Sequence, residues 1–357
     1  MRSTFKLLFA LGLTIAQVTV PSLTGKVGGE SAAAFAQRPI PAYREGVPTD
    51  SIILSDPFVL ADQATHTYYM TGTGGLLWTS KDLKTWNGPR SVVETDTASW
   101  MGKHPQIWAA ELHHYRGKYY YFATFTNNEI AIDTVCGRRI PRRACHVLVS
   151  DRPEGPYRPM SSPVYTSPHM PTLDATLFED LDGHPYMVYC HEWLQNLDGT
   201  VERIRLSDDL SSSLYTARTL FRASDCPWSL EEDTDSLAAT RHRRPDGTLP
   251  NRVTDGPFLF RTQTGRLGML WTSWIKDVYT QGVAYSLSGT IDGPWEQEPK
   301  PLTPPNYGHG MLFRDWQGHL ICSLHSHKEV NGRTIRHPHF FLMDDEGERL
   351  VTLAHFE

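Results

Sequence analysis

The sequence predicts an all-β protein folded as a five-bladed β-propeller, and three observations predict it. First, one form recurs: a short apolar strand, a polar turn containing glycine, then a strand rich in aromatic or branched residues. It appears in "ELHHYRGKYYYFAT" (111–124), "LFEDLDGHPYMVY" (177–189), "FLFRTQTGRLGMLWTS" (258–273) and "MLFRDWQGHLICSLH" (311–325), and it is the signature of a β-hairpin. "DPFVLADQATHTYYMTG" (56–72) is a fifth copy without the glycine. Second, several hairpins are followed by a further strand and a closing phrase, as in "TSKDLKTWNGP" (79–89), "SDRPEGPY" (150–157) and "SGTIDGPW" (288–295). Each unit therefore holds about four strands. Third, no amphipathic helix longer than a few turns interrupts them. Four-stranded units repeated around an axis make a propeller, with insertions placed in loops. A β-sandwich would not explain the repeated hairpin.

Taken in order, residues 1–36 have the form of an export signal. Arg2 and Lys6 precede the apolar run "LLFALGLTIA" (7–16), and "SAAAFAQ" (31–37) offers a small-residue cleavage site after Ala36. The run is too short to span a bilayer, so a secreted or periplasmic protein is expected. Residues 37–49 form a lead-in, and 50–357 form the propeller. Composition agrees: 39% hydrophobic and 21% charged residues, with 10 Trp and 15 Tyr, supply a sizeable core. Net charge is -6, so neither nucleic acid nor an anionic membrane is an expected partner, and a monomer is expected. In "SKDLKTW" (80–86), Asp82 is expected to bond its own turn. The five cysteines fit no zinc spacing. An oxidising compartment would favour a Cys136–Cys145 disulfide across "GRRIPRRA", leaving at least one buried thiol.

The repeat also aligns candidate site residues. Counting back from each turn glycine, Trp108, Asp174 and His309 lie 9 residues upstream and Asp255 lies 10 upstream; Asp56 opens the first unit. In a propeller the innermost strands surround a central channel, so equivalent strand ends converge. Taken alone, Asp255 in "VTDGPFLF" (253–260) fits a turn, because Asp and Gly-Pro punctuate chains. Together with Asp56 and Asp174 it suits glycoside hydrolysis, which needs one carboxylate to accept a proton from water and one to donate to the leaving oxygen. A like-charged neighbour raises the donor's pKa and keeps it protonated.

These segments resemble, in chain order, the motifs of glycoside hydrolase family 43. The motifs are "SDPFVL" (55–60), "IWAAELHHYRGKYYYFAT" (107–124), "LDATLFEDLDGHPYMVY" (173–189), "VTDGPFLF" (253–260) and "GHGMLFRDWQGHLICSLH" (308–325). The resemblance covers about residues 50–345 and implies a five-bladed propeller that cleaves arabinofuranosides, xylosides or galactosides with inversion. It implies Asp56 as general base, Asp174 as the residue that tunes and orients the acid, and Asp255 at the position of the general acid. There the sequence departs, because the family has Glu. The departure leaves a rival expectation, a catalytically silent glycan-binding propeller. Glu231 and Glu232 in "SLEEDTD" (229–235) are alternative acids.

Trp108 is expected to wall a sugar ring or to sit in the core. Glu111 is expected in a structural pair. His309 matches a channel histidine that in some members places a hydrated calcium ion, so a structural calcium there is an expectation, as is a hydrogen-bonded structural role. No organic cofactor is implied. The arginines of "CGRRIPRRAC" (136–145) are expected on a solvated loop, with a grip on an acidic sugar as the alternative.

Overall fold

The computed structural model describes residues 40–135, 137–160, 165–230, 252–275 and 278–356. The export signal, Cys136, Glu231 and Glu232 lie outside the described residues. Blade 1 is built from β1 (Arg44–Pro48), β2 (Phe58–Asp62), β3 (Thr67–Thr71), β4 (Leu76–Ser80) and β5 (Thr85–Ser91) in the order β1-β5-β4-β3-β2. The lead-in thus supplies β1 as an outer fifth strand. Blade 2 is β6 (Gln106–Tyr115), β7 (Lys118–Val135), β8 (Arg138–Ser150) and β9 (Arg158–Pro159). Blade 3 is β10 (Thr172–Glu179), β11 (Pro185–His191), β12 (Thr200–Arg205) and β13 (Arg218–Arg222). Blade 4 is β14 (Asp255–Arg261), β15 (Leu267–Ile275), β16 (Val278–Ser286) and β17 (Trp295–Gln297). Blade 5 is β18 (Tyr307–Arg314), β19 (Leu320–Val330), β20 (Arg333–Asp344) and β21 (Val351–His355). The bridge Thr280↔Tyr307 links blades 4 and 5. The described α-helix, Trp193–Asn196, is one turn long.

The strands form five blades because each buries both faces. Strand side chains alternate, so in "TYYMT" Tyr68 and Met70 pack toward blade 5 while Tyr69 packs toward blade 2. Among the described residues five apolar cores result, each shared by two adjacent blades. Tyr121 and Leu77 join blades 2 and 1; Phe122 and Met187 join blades 2 and 3; Val188 and Trp271 join blades 3 and 4; Leu270 and Leu324 join blades 4 and 5. The fifth core, with Trp86, Phe313 and Phe340, packs blade 5 against blade 1. That contact closes the ring, and hydrogen bonds from Leu54 N–H to Arg336 O (2.9 Å) and from Ser323 Oγ to Pro57 O (2.8 Å) cross the same seam.

Asp82 bonds its turn as expected, accepting from the Lys84 and Thr85 N–H groups at 2.9 and 2.8 Å. The Cys136–Cys145 expectation is corrected. Cys145 is a free, buried thiol, as are Cys190, Cys226 and Cys322. The segment between Cys136 and Cys145 is a strand, not a closed loop. The β7–β8 ladder runs from Val135↔Arg138 to Thr124↔Cys145, so Cys145 stands seven residues along β8 from Arg138.

Candidate active site

Near the start of the inner strands of blades 2 to 5 the ladder skips two residues. The pairs on either side are Trp108↔Thr124 and Glu111↔Phe122, Leu173↔Cys190 and Thr176↔Val188, Asp255↔Thr272 and Phe258↔Leu270, and Gly308↔His325 and Met311↔Ser323. The first skipped residue adopts a left-handed backbone in every case: Ala109 (φ 42°), Asp174 (57°), Gly256 (48°) and His309 (55°), with Asp56 (58°) two residues before Phe58 in blade 1. These five positions are the equivalent ones. Counting nine back from the turn glycine gives Asp174, Gly256 and His309 correctly, with Asp255 one residue earlier, but in blade 2 it gives Trp108 instead of Ala109, because the β6–β7 turn is only Arg116–Gly117.

Asp255 still reaches the site because its neighbour has no side chain. A Cβ on Gly256 would lie 2.7 Å from the His309 ring. Gly256→Ala is therefore expected to lose both stability and turnover, the left-handed backbone alone costing about 1–2 kcal/mol. Thermal unfolding and kcat/KM check this; unchanged values for both would mean that His309 has room to withdraw.

The three carboxylates surround one imidazole nitrogen. His309 Nδ1 lies 3.2 Å from Asp56 Oδ1, 3.7 Å from Asp255 Oδ1 and 4.0 Å from Asp174 Oδ2. Asp174 is the most buried, its side chain 5% exposed, against 14% for Asp56 and 25% for Asp255. Asp56 and His309 also line a narrow cavity of about 10 Å³ with Phe58, Glu111, Phe258 and Met311. Asp56 Oδ2 accepts from the Thr73 hydroxyl, which also receives the Ala109 N–H at 3.0 Å. Thr124 Oγ1 accepts the Asp174 N–H at 2.8 Å, Thr272 Oγ1 accepts the His309 N–H at 2.8 Å, and His325 Nδ1 accepts the Asp56 N–H at 3.0 Å. Each bulge is thus pinned by a side chain of the preceding blade. Blade 3 offers Cys190 at that position, and there Asp174 Oδ2 itself accepts the Gly256 N–H at 3.2 Å.

Burial, then the neighbouring charge of Asp255, pushes the Asp174 carboxyl well above the usual range. Burial also pushes Asp255 upward, but bonds from Asp174 and Tyr279 and the charges of His309 and Arg336 outweigh it and hold Asp255 low. Of the two carboxyls Asp174 is the costlier to ionise, because it is the deeper one.

Trp108 is half-buried, with the Arg143 guanidinium over one face at 3.9 Å from the ring centre. Arg143 is itself buried, pairs with Glu192 Oε1, and donates to Thr126 Oγ1 at 2.9 Å. The arginine run is not a solvated loop. Arg138 lies over Trp193 at 5.5 Å and Arg142 over Trp100 at 4.6 Å, so β8 backs three tryptophans with cations. Glu111 forms the expected pair, 2.8 Å from His113 Nε2. Glu192, Thr73, Tyr279 and His325 were missed from the sequence, and Arg143 was read only as one of a run; of these Glu192, in "YCHEW" directly after β11, sits where a strand-end acid could have been noted.

Asp174, Asp255 and His309 offer one ligand atom each within 4.8 Å of one another. Calcium takes six to eight oxygens, whereas this set is one ring nitrogen and carboxylates already bonded to Tyr279 and a backbone N–H. A directly held calcium ion does not fit these donors.

Comparison with known proteins agrees with this geometry. The profile of Glycosyl hydrolases family 43 matches residues 47–343. Among solved structures the chain is similar to the endo-arabinase from Bacteroides thetaiotaomicron VPI-5482, at 33% identity and TM-score 0.68, covering 83% of this chain and 96% of that one. It shares its fold with an endo-1,4-beta-xylanase of the same organism (22% identity, TM-score 0.63, 88% of this chain and 97% of that one). An exo-1,5-alpha-L-arabinanase from a bovine ruminal metagenomic library shares it too (17% identity, TM-score 0.61, 87% and 99%). No curated protein matches.

Proposed function

Because the chain belongs to family 43 of the glycosyl hydrolases, we propose that it is an exported inverting glycosidase that cleaves arabinofuranosyl linkages of a pentose-containing polysaccharide. The observation that carries the reading is the meeting of Asp56, Asp174 and Asp255 around His309 Nδ1 at the head of the channel. The sugar is inferred from the endo-arabinase likeness at 33% identity. Export rests on the form of residues 1–36.

Asp56, held by Thr73, accepts a proton from water as that water attacks the anomeric carbon. Asp255 donates a proton to the departing oxygen and draws it from the Asp174–Asp255 pair. The pair thus ends one proton poorer and Asp56 one richer, and exchange with solvent resets both. Trp108, fixed by Arg143, presents an apolar surface to the ring. The reading routes no step through a metal.

Chelator-treated enzyme is therefore expected to cut linear arabinan in preference to xylan or galactan, at the same rate as untreated enzyme. Proton NMR of the first product should show the inverted anomer. Binding of arabinan without turnover would establish the silent-binder reading instead, and loss of activity on chelation would favour the hydrated ion expected at His309.

A further inference from the structure

The aspartate at the acid position is one methylene shorter than the family's glutamate, and a second side chain holds its carboxyl in place. Tyr279, from the third strand of blade 4, donates its hydroxyl to Asp255 Oδ2 at 2.6 Å. Its ring is clamped. It stacks on His327 at 4.7 Å and 5°, on His325 at 5.2 Å and 24°, and touches Trp274 at 5.0 Å. Space for the ring depends on Gly308, where a Cβ would lie 2.5 Å from Tyr279 Cε1.

The clamp has a defined polarity. Asp56 N–H donates to His325 Nδ1, so the proton of that ring is on Nε2, which faces His327 Nε2 at 3.1 Å. Arg336 Nε donates to the same His327 nitrogen at 3.1 Å. Two donors on one nitrogen fix His327 as neutral with its proton on Nδ1. The same stack therefore touches the backbone of the base and the side chain of the acid.

We infer that Tyr279 is the positioning residue for the acid. It anchors Asp255 Oδ2 so that Oδ1, the oxygen facing His309 at 3.7 Å, delivers the proton to the leaving group. Displacement of a donor by roughly 1 Å costs a large share of rate, and the anchor removes the freedom that a short side chain would otherwise use. Burial pushes the Tyr279 hydroxyl well above its ordinary pKa, so it remains a donor.

This inference rests on the assignment of Asp255 as the acid, and the test separates the two. Tyr279→Phe keeps the stacked ring and removes only the hydroxyl. Tyr279→Phe, Asp255→Ala and the double variant are assayed on a dinitrophenyl arabinoside and on an arabino-oligosaccharide, with thermal unfolding to confirm folding. Tyr279→Phe should lower kcat on the oligosaccharide roughly ten- to hundred-fold, the worth of a hydrogen bond to a charged group. KM should stay unchanged, and turnover of the dinitrophenyl substrate should stay within about two-fold, since a good leaving group needs no acid. The double variant should be no slower than Asp255→Ala. Equal losses on both substrates, no loss on either, or further loss in the double variant would overturn the positioning role. If Asp255→Ala itself fell equally on both substrates, the acid assignment would fail first and take the inference with it.

Discussion

Asp56→Ala is expected to lower kcat/KM by about 10²–10⁴-fold on every glycoside, whatever its leaving group, because water must be deprotonated in each case. The carboxylate has the features of a prepared base. It is 14% exposed, held by the Thr73 hydroxyl, and placed by a left-handed backbone whose N–H is fixed to His325. The N–H bond survives the substitution, so the variant should fold. An added anion that needs no deprotonation, such as azide, should recover part of the lost rate on a dinitrophenyl arabinoside and give the glycosyl azide of inverted configuration. Steady-state kinetics and NMR of the azide product check this. A variant that retained a tenth of its activity would remove Asp56 from the base role.

Asp255→Ala should separate substrates that Asp56→Ala does not. On natural linkages the departing alkoxide needs a proton, and a loss of about 10²–10⁴-fold is expected. On a dinitrophenyl glycoside most activity should remain. Asp255→Asn should behave like the alanine variant, since an amide keeps the shape but is not an acid. The electrostatics sharpen the expectation. Asp174 is the costlier of the pair to ionise and in the proposed mechanism supplies Asp255 with its proton, so Asp174→Asn should share the same leaving-group dependence. Equal losses for Asp255→Ala on both substrate types would reduce Asp255 to a residue of the turn before β14.

How much of this was legible in the sequence varied with how local the cause was. The aromatic second strands of the hairpins reflected a physical fact, that inner blade strands are buried on both faces, and the repeat could be counted before any contact was known. Asp82 was legible because an aspartate bonds N–H groups two and three residues on. The Cys136–Cys145 pairing failed for the opposite reason: sequence proximity suggested a closed loop where the chain runs as a strand away from Val135↔Arg138.

The sequence by itself determined the five hairpins, the all-β class, and Asp56, Asp174 and His309 as members of one register, since each depends on a pattern within a single repeat. Only the tertiary structure decided which residues that register brings together. It placed the bulges, so that Gly256 rather than Asp255 occupies the equivalent position in blade 4, and it buried Asp174 more deeply than Asp255. It also brought Tyr279 to the acid and Arg143 and Glu192 behind Trp108. Those contacts join different strands and blades, as when His325 receives the N–H of Asp56 across a separation of 269 residues. Such meetings depend on ring closure and on the depth of each carboxyl, which are set by packing among five blades and leave no periodic trace along the chain.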